Sequence, residues 1–133
     1  GGWSVKRLHR EILLSGTYQR ASASDARTET IDPENQWLWR ASRRRLSVEA
    51  FRDSVLAVSG GLDRSMGGPS AEVDDLKNVR RTVYAKVSRL DLAALLRLFD
   101  FPDPNLTSER RIDTTLPQQS LYLLNSPFMI ERA

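Results

Sequence analysis

The side chains in this sequence with the means to do chemistry gather near its C-terminal end. Phe99-Asp100-Phe101-Pro102-Asp103-Pro104-Asn105 is followed by Arg110-Arg111-Ile112-Asp113-Thr114-Thr115-Leu116-Pro117-Gln118-Gln119. Pro102 and Pro104 fix the backbone and push Phe101 and Asp103 out of the helical region, so Asp100 and Asp103 stand on a stiff, non-helical link. Asp100, Asp103 and Asn105 are oxygen donors of the kind a hard cation such as Ca²⁺ takes from a tight loop, but the glycine and terminal glutamate of a full calcium loop are missing. Turns and caps use the same residue types. The favoured use is a brace, in which Asp100 or Asp103 pairs with Arg110 or Arg111.

Three other constellations carry chemical meaning. His9 is a possible general base, yet no Ser or Cys nucleophile stands in a recognised motif, and one histidine on a helix is more often structural. A hydrolase-like site would have to draw on His9, Glu49, Asp100 and Asp103 together. Arg43-Arg44-Arg45 lies close to Trp37 and Trp39, a combination that suits phosphate, sulfate or carboxylate groups, including acidic polysaccharide. For that ligand the binding residues would be Arg44, Arg45, Trp37 and Arg111. Against it, tryptophans on helices usually anchor cores, and arginines between them commonly brace carboxylates. Glu49, spaced four from Arg45 and three from Arg52, is the natural centre of an ion network that extends to Asp100, Asp103, Arg110 and Arg111.

Composition narrows the classes. The chain has 133 residues, 40% of them hydrophobic, which suits one domain with one modest core. Twenty basic side chains, seventeen of them Arg, are interspersed with seventeen acidic ones for a net charge of +3. That balance argues against a nucleic-acid binder, which shows a clustered basic surface. Without cysteine the segment offers no disulfide, no thiolate zinc site and no covalent c-type haem attachment, and its single histidine disfavours a His-based metal site. No stretch approaches eighteen uninterrupted apolar residues, so no membrane span is expected and the segment reads as soluble. The opening Gly1-Gly2-Trp3 and the ending in helical pattern suggest an internal fragment of a larger domain.

The elements that must position these side chains are mainly helical. Val5, Leu8, Ile12 and Leu13 recur at helical spacing over 4–15, with Lys6, Arg7, Arg10 and Glu11 opposite and Arg7 and Glu11 spaced to pair. Residues 20–31 lack periodicity and are expected to form a loop. Asp32-Pro33-Glu34 is a helix-start signal, predicting a short helix through Trp37, Leu38 and Trp39. A longer helix carries Ala50, Phe51, Val55 and Val58 and ends at Gly60-Gly61. Residues 63–79 form an exposed loop, and alternation over 80–87 predicts a short strand with 62–66 as a possible partner. Asp91 is expected to cap a helix bearing Leu92, Leu95, Leu96 and Phe99. Pro117 opens another with Leu121, Leu124 and Phe128 as its apolar stripe, interrupted at Asn125-Ser126-Pro127. The fold class is mainly α, an irregular helical domain with long loops and at most a short β-hairpin.

Several segments occur in one order: Gly2-Trp3-Ser4-Val5-Lys6-Arg7-Leu8-His9-Arg10, Asp32-Pro33-Glu34-Asn35, Trp39-Arg40, Arg43-Arg44-Arg45-Leu46, Ser59-Gly60, Gly67-Gly68-Pro69 and Arg80-Arg81-Thr82-Val83-Tyr84. Phe99 to Asn105 and Thr114-Thr115-Leu116-Pro117 complete the series. Together they resemble the planctomycete-type domain of unknown function, the PSD-one family, over nearly the whole chain. The resemblance implies a domain near the C-terminus of a large periplasmic, cell-envelope or secreted bacterial protein that commonly also carries a cytochrome c module. Its partners would be the other domains of that parent chain, with polysaccharide as a further possibility. Haem c would then belong elsewhere in the parent, since no Cys-x-x-Cys-His motif stands here. The family has no established catalytic residues, so the expectation is a non-catalytic helical interaction or scaffold module. The alternatives are the anionic glycan-binding module and the hydrolase-like site.

Overall fold

A computed structural model describes residues 2–133, which are helical with long connecting loops and fall into two compact units, one running to Arg44 and the other spanning Arg45–Ala133. In the first unit, α1 (Val5–Leu13) starts where the Ser4 hydroxyl accepts a bond from the Arg7 N–H, the usual service of an N-cap serine. Arg7 and Glu11 pair at 2.9 Å along its surface. The amphipathic pattern is as expected, but Val5, Leu8 and Ile12 all remain exposed.

Two local expectations for this unit fail. Residues 20–31 are not all loop: Asp25 caps α2 (Ala26–Ile31) by accepting from the Thr28 N–H at 2.9 Å. Asp32 then does not start a helix. Its two carboxylate oxygens accept from the N–H groups of Gln36 and Trp37, both at 2.9 Å, and those bonds wind the chain into turns. Asn35 and Leu38 adopt left-handed backbone, with φ of 55° and 54°. For Asn this conformation is common, whereas for Leu it is strained. Local side-chain bonds from Asp and Asn compete with the helix here, and they win.

In the second unit, α3 (Val48–Val58) opens on Ser47 and closes at Gly60, whose φ of +76° lets Gly61 and Leu62 return bonds to the Leu56 carbonyl. The buried face of α3 is Val48, Arg52 and Leu56, not the stripe through Val58, which is exposed. The segment 80–87 is a 3₁₀ turn (Thr82–Tyr84) rather than a strand. Isolated bridges join Asp63 to Arg80 and Ala71 to Ala85, so residue 63 in the anticipated partner segment does meet residue 80, without a sheet. Asp53 explains the difference, because one of its oxygens accepts from both the N–H and the hydroxyl of Thr82 at 2.7 Å and curls the chain there.

α4 (Ala94–Leu98) begins later than expected. The acceptor for its first N–H is Asp74, at 3.2 Å, not Asp91. Pro117 does open α5 (Pro117–Asn125), and Ser126 ends that helix and caps α6 (Pro127–Arg132) by accepting from the Met129 N–H. The anticipated stripe of α5 is wrong in part: Leu121 and Leu124 are exposed, while Gln119 and Phe128 are buried. Val48, Val73, Leu95 and Leu96 form the core, with Phe99, Phe101 and Tyr122 packed around it. Burying each of the leucines stabilises the unit by roughly 1.5–3 kcal/mol. Val73 reaches this core from the 63–79 segment, so that loop is anchored rather than wholly exposed. Among the described residues no helix is long and apolar enough to cross a membrane.

Candidate functional site

The link after α4 turns at Asp100, whose φ is 60°, a conformation Asp tolerates better than most residues. The turn aims the Asp100 carboxylate at Thr114, accepting from its N–H at 2.9 Å and from its hydroxyl at 2.7 Å. Burial pushes the Asp100 pKa up, but the two Thr114 bonds, the Arg45 charge and Gln119 outweigh it, and the carboxyl sits below its ordinary value. The expected partner, Arg110 or Arg111, is not the one used. Asp103 makes a tight turn of its own by accepting from the Asn105 N–H at 2.8 Å, and the Asn105 amide in turn donates to the Arg89 carbonyl.

Arg45 completes the arrangement from the chain entering α3. Its guanidinium donates to the Thr114 carbonyl and, at 2.7 Å, to the Gln119 Oε1. Gln119 is buried and fully used: its Oε1 also accepts from the Leu116 N–H at 3.0 Å, half of a capping box, and its Nε2 donates to the Leu98 carbonyl at 2.9 Å. An aromatic cluster lies alongside. Phe99 stacks on Phe51 at 5.1 Å and meets Tyr122 edge-on at 5.5 Å, while Arg45 lies over the Phe99 ring.

Glu49 does not pair with Arg45 or Arg52, although the helical spacing allowed both. It is taken by Arg111, through two bonds of 2.7 Å in fork-to-fork geometry, and Arg111 also lies over Phe101. The bond to Arg111 lowers the Glu49 pKa against the opposing effect of burial, and the same bond raises that of Arg111. Arg52 is fully buried and serves carbonyls instead. It donates to the oxygens of Asn78 and Arg80 and to the Thr82 hydroxyl, with the Phe128 ring 5.5 Å away. Burial pulls its pKa down.

Of the remaining residues singled out from sequence, His9, Trp37 and Arg44 belong to the first unit and Arg110 to the second. His9 is exposed on α1, and Trp37 is 75% exposed on the 35–38 turn rather than a core anchor. Arg44 and Arg110 are exposed. Of the anticipated ion network, Glu49 and Arg111 form an ion pair, Asp100 and Arg45 are bridged through Thr114 and Gln119, and Arg52, Asp103 and Arg110 lie outside it. Sequence reasoning missed Thr114 and Gln119 as partners. The signal for Gln119 was its place three residues after Leu116, the position from which a capping-box side chain reaches back. Among the described residues no group of acidic, His or Cys side chains is arranged to hold a metal.

Chemically, the arrangement ties together four pieces of chain: the start of α3, the end of α4, the 111–116 strap and the start of α5. The chain matches the family model PSD1, described as a protein of unknown function (DUF1553), over residues 1–133, and belongs to that family. No curated protein and no solved structure matches it.

Proposed function

We propose that the chain is a non-catalytic interaction or scaffold module of an extracytoplasmic, multidomain bacterial protein, acting alongside the parent's other domains, a cytochrome c module among them. The observation that carries this reading is the occupancy of Glu49 and Asp100. Both oxygens of each carboxylate already accept bonds from Arg111 or Thr114. A general acid or base needs an oxygen within reach of the substrate and a pKa near the working pH, whereas both carboxyls are shifted down, away from neutrality. The extracytoplasmic setting and the cytochrome link rest on the family likeness alone.

The glycan-binding alternative is weakened by the same bonding, since Arg45 and Arg111 are spent on internal acceptors. The test is chemical unfolding of Glu49→Gln, Asp100→Asn and the double variant, with Asp91→Asn as an exposed control. The brace reading expects each substitution at 49 and 100 to cost about 1–2 kcal/mol and the control to cost almost nothing. Unchanged stability in the double variant would return these carboxylates to consideration as a site.

A further inference from the structure

The chain's net positive charge is not spread evenly. Up to Arg44 there are eight basic side chains against five acidic, which accounts for the whole +3, and residues 45–133 balance at twelve of each. The first unit also contains a cleft of about 690 Å³ between the end of α1 and the segment after Leu38. Its volume is in the range of small-molecule sites. Ile12, Tyr18 and Leu38 are among the residues that line it, together with Arg40, Ser42 and Arg44. Among the described residues no acidic side chain lines it.

Arg40 is held in place there by its own backbone. Asn35 Oδ1 accepts from the Arg40 N–H at 3.1 Å, and Asn35 Nδ2 donates to the Arg40 carbonyl at 2.9 Å and to Ser42 Oγ at 3.3 Å. The guanidinium lies 5.1 Å from the Trp39 ring, whose own Nε1 is anchored on the Asp32 carbonyl. Yet the Arg40 Nε is buried and has no hydrogen-bond partner. On the same wall Leu38 is kept in strained left-handed backbone, and strain of that kind is retained where the surroundings over-determine a conformation, often at a binding site.

We propose that this cleft binds an organic oxyanion, a carboxylate or sulfate head carried on an apolar body, with Arg40 and Arg44 holding the head and Ile12, Tyr18 and Leu38 covering the body. The planar guanidinium forks supply paired donors to such a head, and the apolar wall distinguishes the ligand from a free inorganic anion. The proposal does not rest on the scaffold reading, which is carried by Glu49 and Asp100.

The experiment titrates the 133-residue chain with benzoate, benzenesulfonate and inorganic sulfate, following amide shifts by NMR. The expected result is benzoate or benzenesulfonate binding at a dissociation constant of about 1 mM, as suits a ligand so small, with inorganic sulfate at least about tenfold weaker. Arg44→Gln, at an exposed position that leaves the fold intact, should weaken binding about tenfold or more. Arg40→Lys keeps the charge but loses the fork, and should weaken it too, with the near-ultraviolet signal of Trp39 confirming that the turn is preserved. The proposal is overturned by no organic-anion shift at about 10 mM, by equal affinity in wild type and Arg44→Gln, or by inorganic sulfate binding as well as benzoate.

Discussion

Arg111 and Glu49, 62 residues apart, meet through two parallel bonds of 2.7 Å, and so fasten the strap before α5 to the first turn of α3. The pair is partly exposed, with side chains 41% and 25% accessible, and its strength must therefore come from geometry rather than from a low dielectric. Arg111→Lys retains the charge and removes the fork. Urea unfolding should show a loss of about 0.5–1 kcal/mol for the lysine variant, and a similar or larger loss for Arg111→Gln. A lysine variant as stable as wild type would mean that charge alone holds the strap.

Acid should loosen the second unit. Glu49 and Asp100 both have folded-state pKa values below their ordinary ones, Glu49 through its bond to Arg111, and Asp100 because its bonds from Thr114 and its neighbours overcome burial. Groups depressed on folding contribute stability that is fully present above their unfolded pKa, near 4, and is lost as pH falls through the folded value. Unfolding free energy measured from pH 7 down to pH 3 should fall over the lower part of that range. Glu49→Gln/Asp100→Asn should start lower and show a shallower fall. A double variant with an undiminished acid slope would assign the effect to other carboxylates.

Arg52 occupies the middle of the buried face of α3, between Val48 and Leu56, where periodicity leads one to expect an apolar residue. It serves carbonyls of the 78–80 segment and the Thr82 hydroxyl. Arg52→Met keeps much of the stem's packing and orphans those acceptors. A loss of about 2–4 kcal/mol in denaturant unfolding is expected, with Arg52→Ala worse. A methionine variant within about 0.5 kcal/mol of wild type would show that relaxed geometry or water satisfies those acceptors.

Leu38 offers a test of backbone strain. At φ of 54° a glycine is free of the steric cost a leucine carries, and the leucine is already half exposed, so little packing is lost. Leu38→Gly should leave thermal stability unchanged or raise it by about 1 kcal/mol. The same variant should weaken benzoate binding, because it removes part of the apolar wall. A clear loss of stability would mean that the side chain packs more than its exposure indicates.

What was legible in the sequence was local. The Gly60 end of α3, the proline start of α5, the interruption at Pro127 and the mainly helical class all follow from capping and backbone rules that act within four residues. Asp32-Pro33 was misread for an equally local reason: an aspartate ahead of a proline serves a helix start or a turn, and the choice fell to Asn35, which clamps Arg40 at both its N–H and its carbonyl. The site partners were less accessible. Helical spacing put Arg45 and Arg52 beside Glu49, but the bidentate fit of Arg111 came from 62 residues away. Asp100 likewise chose a threonine 14 residues on over two nearby arginines, because Thr114 offers two donors from one residue. No short-range pattern encodes either choice.

The central claim is that the carboxylates on the proline-stiffened link are structural. A double-mutant cycle on Asp100→Asn and Thr114→Val, read by urea unfolding at pH 7, tests it most directly. The account predicts that each single substitution costs about 1–2 kcal/mol and that together they cost clearly less than the sum, with a coupling of at least about 0.5 kcal/mol. Additive effects, or an Asp100→Asn variant as stable as wild type, would contradict it.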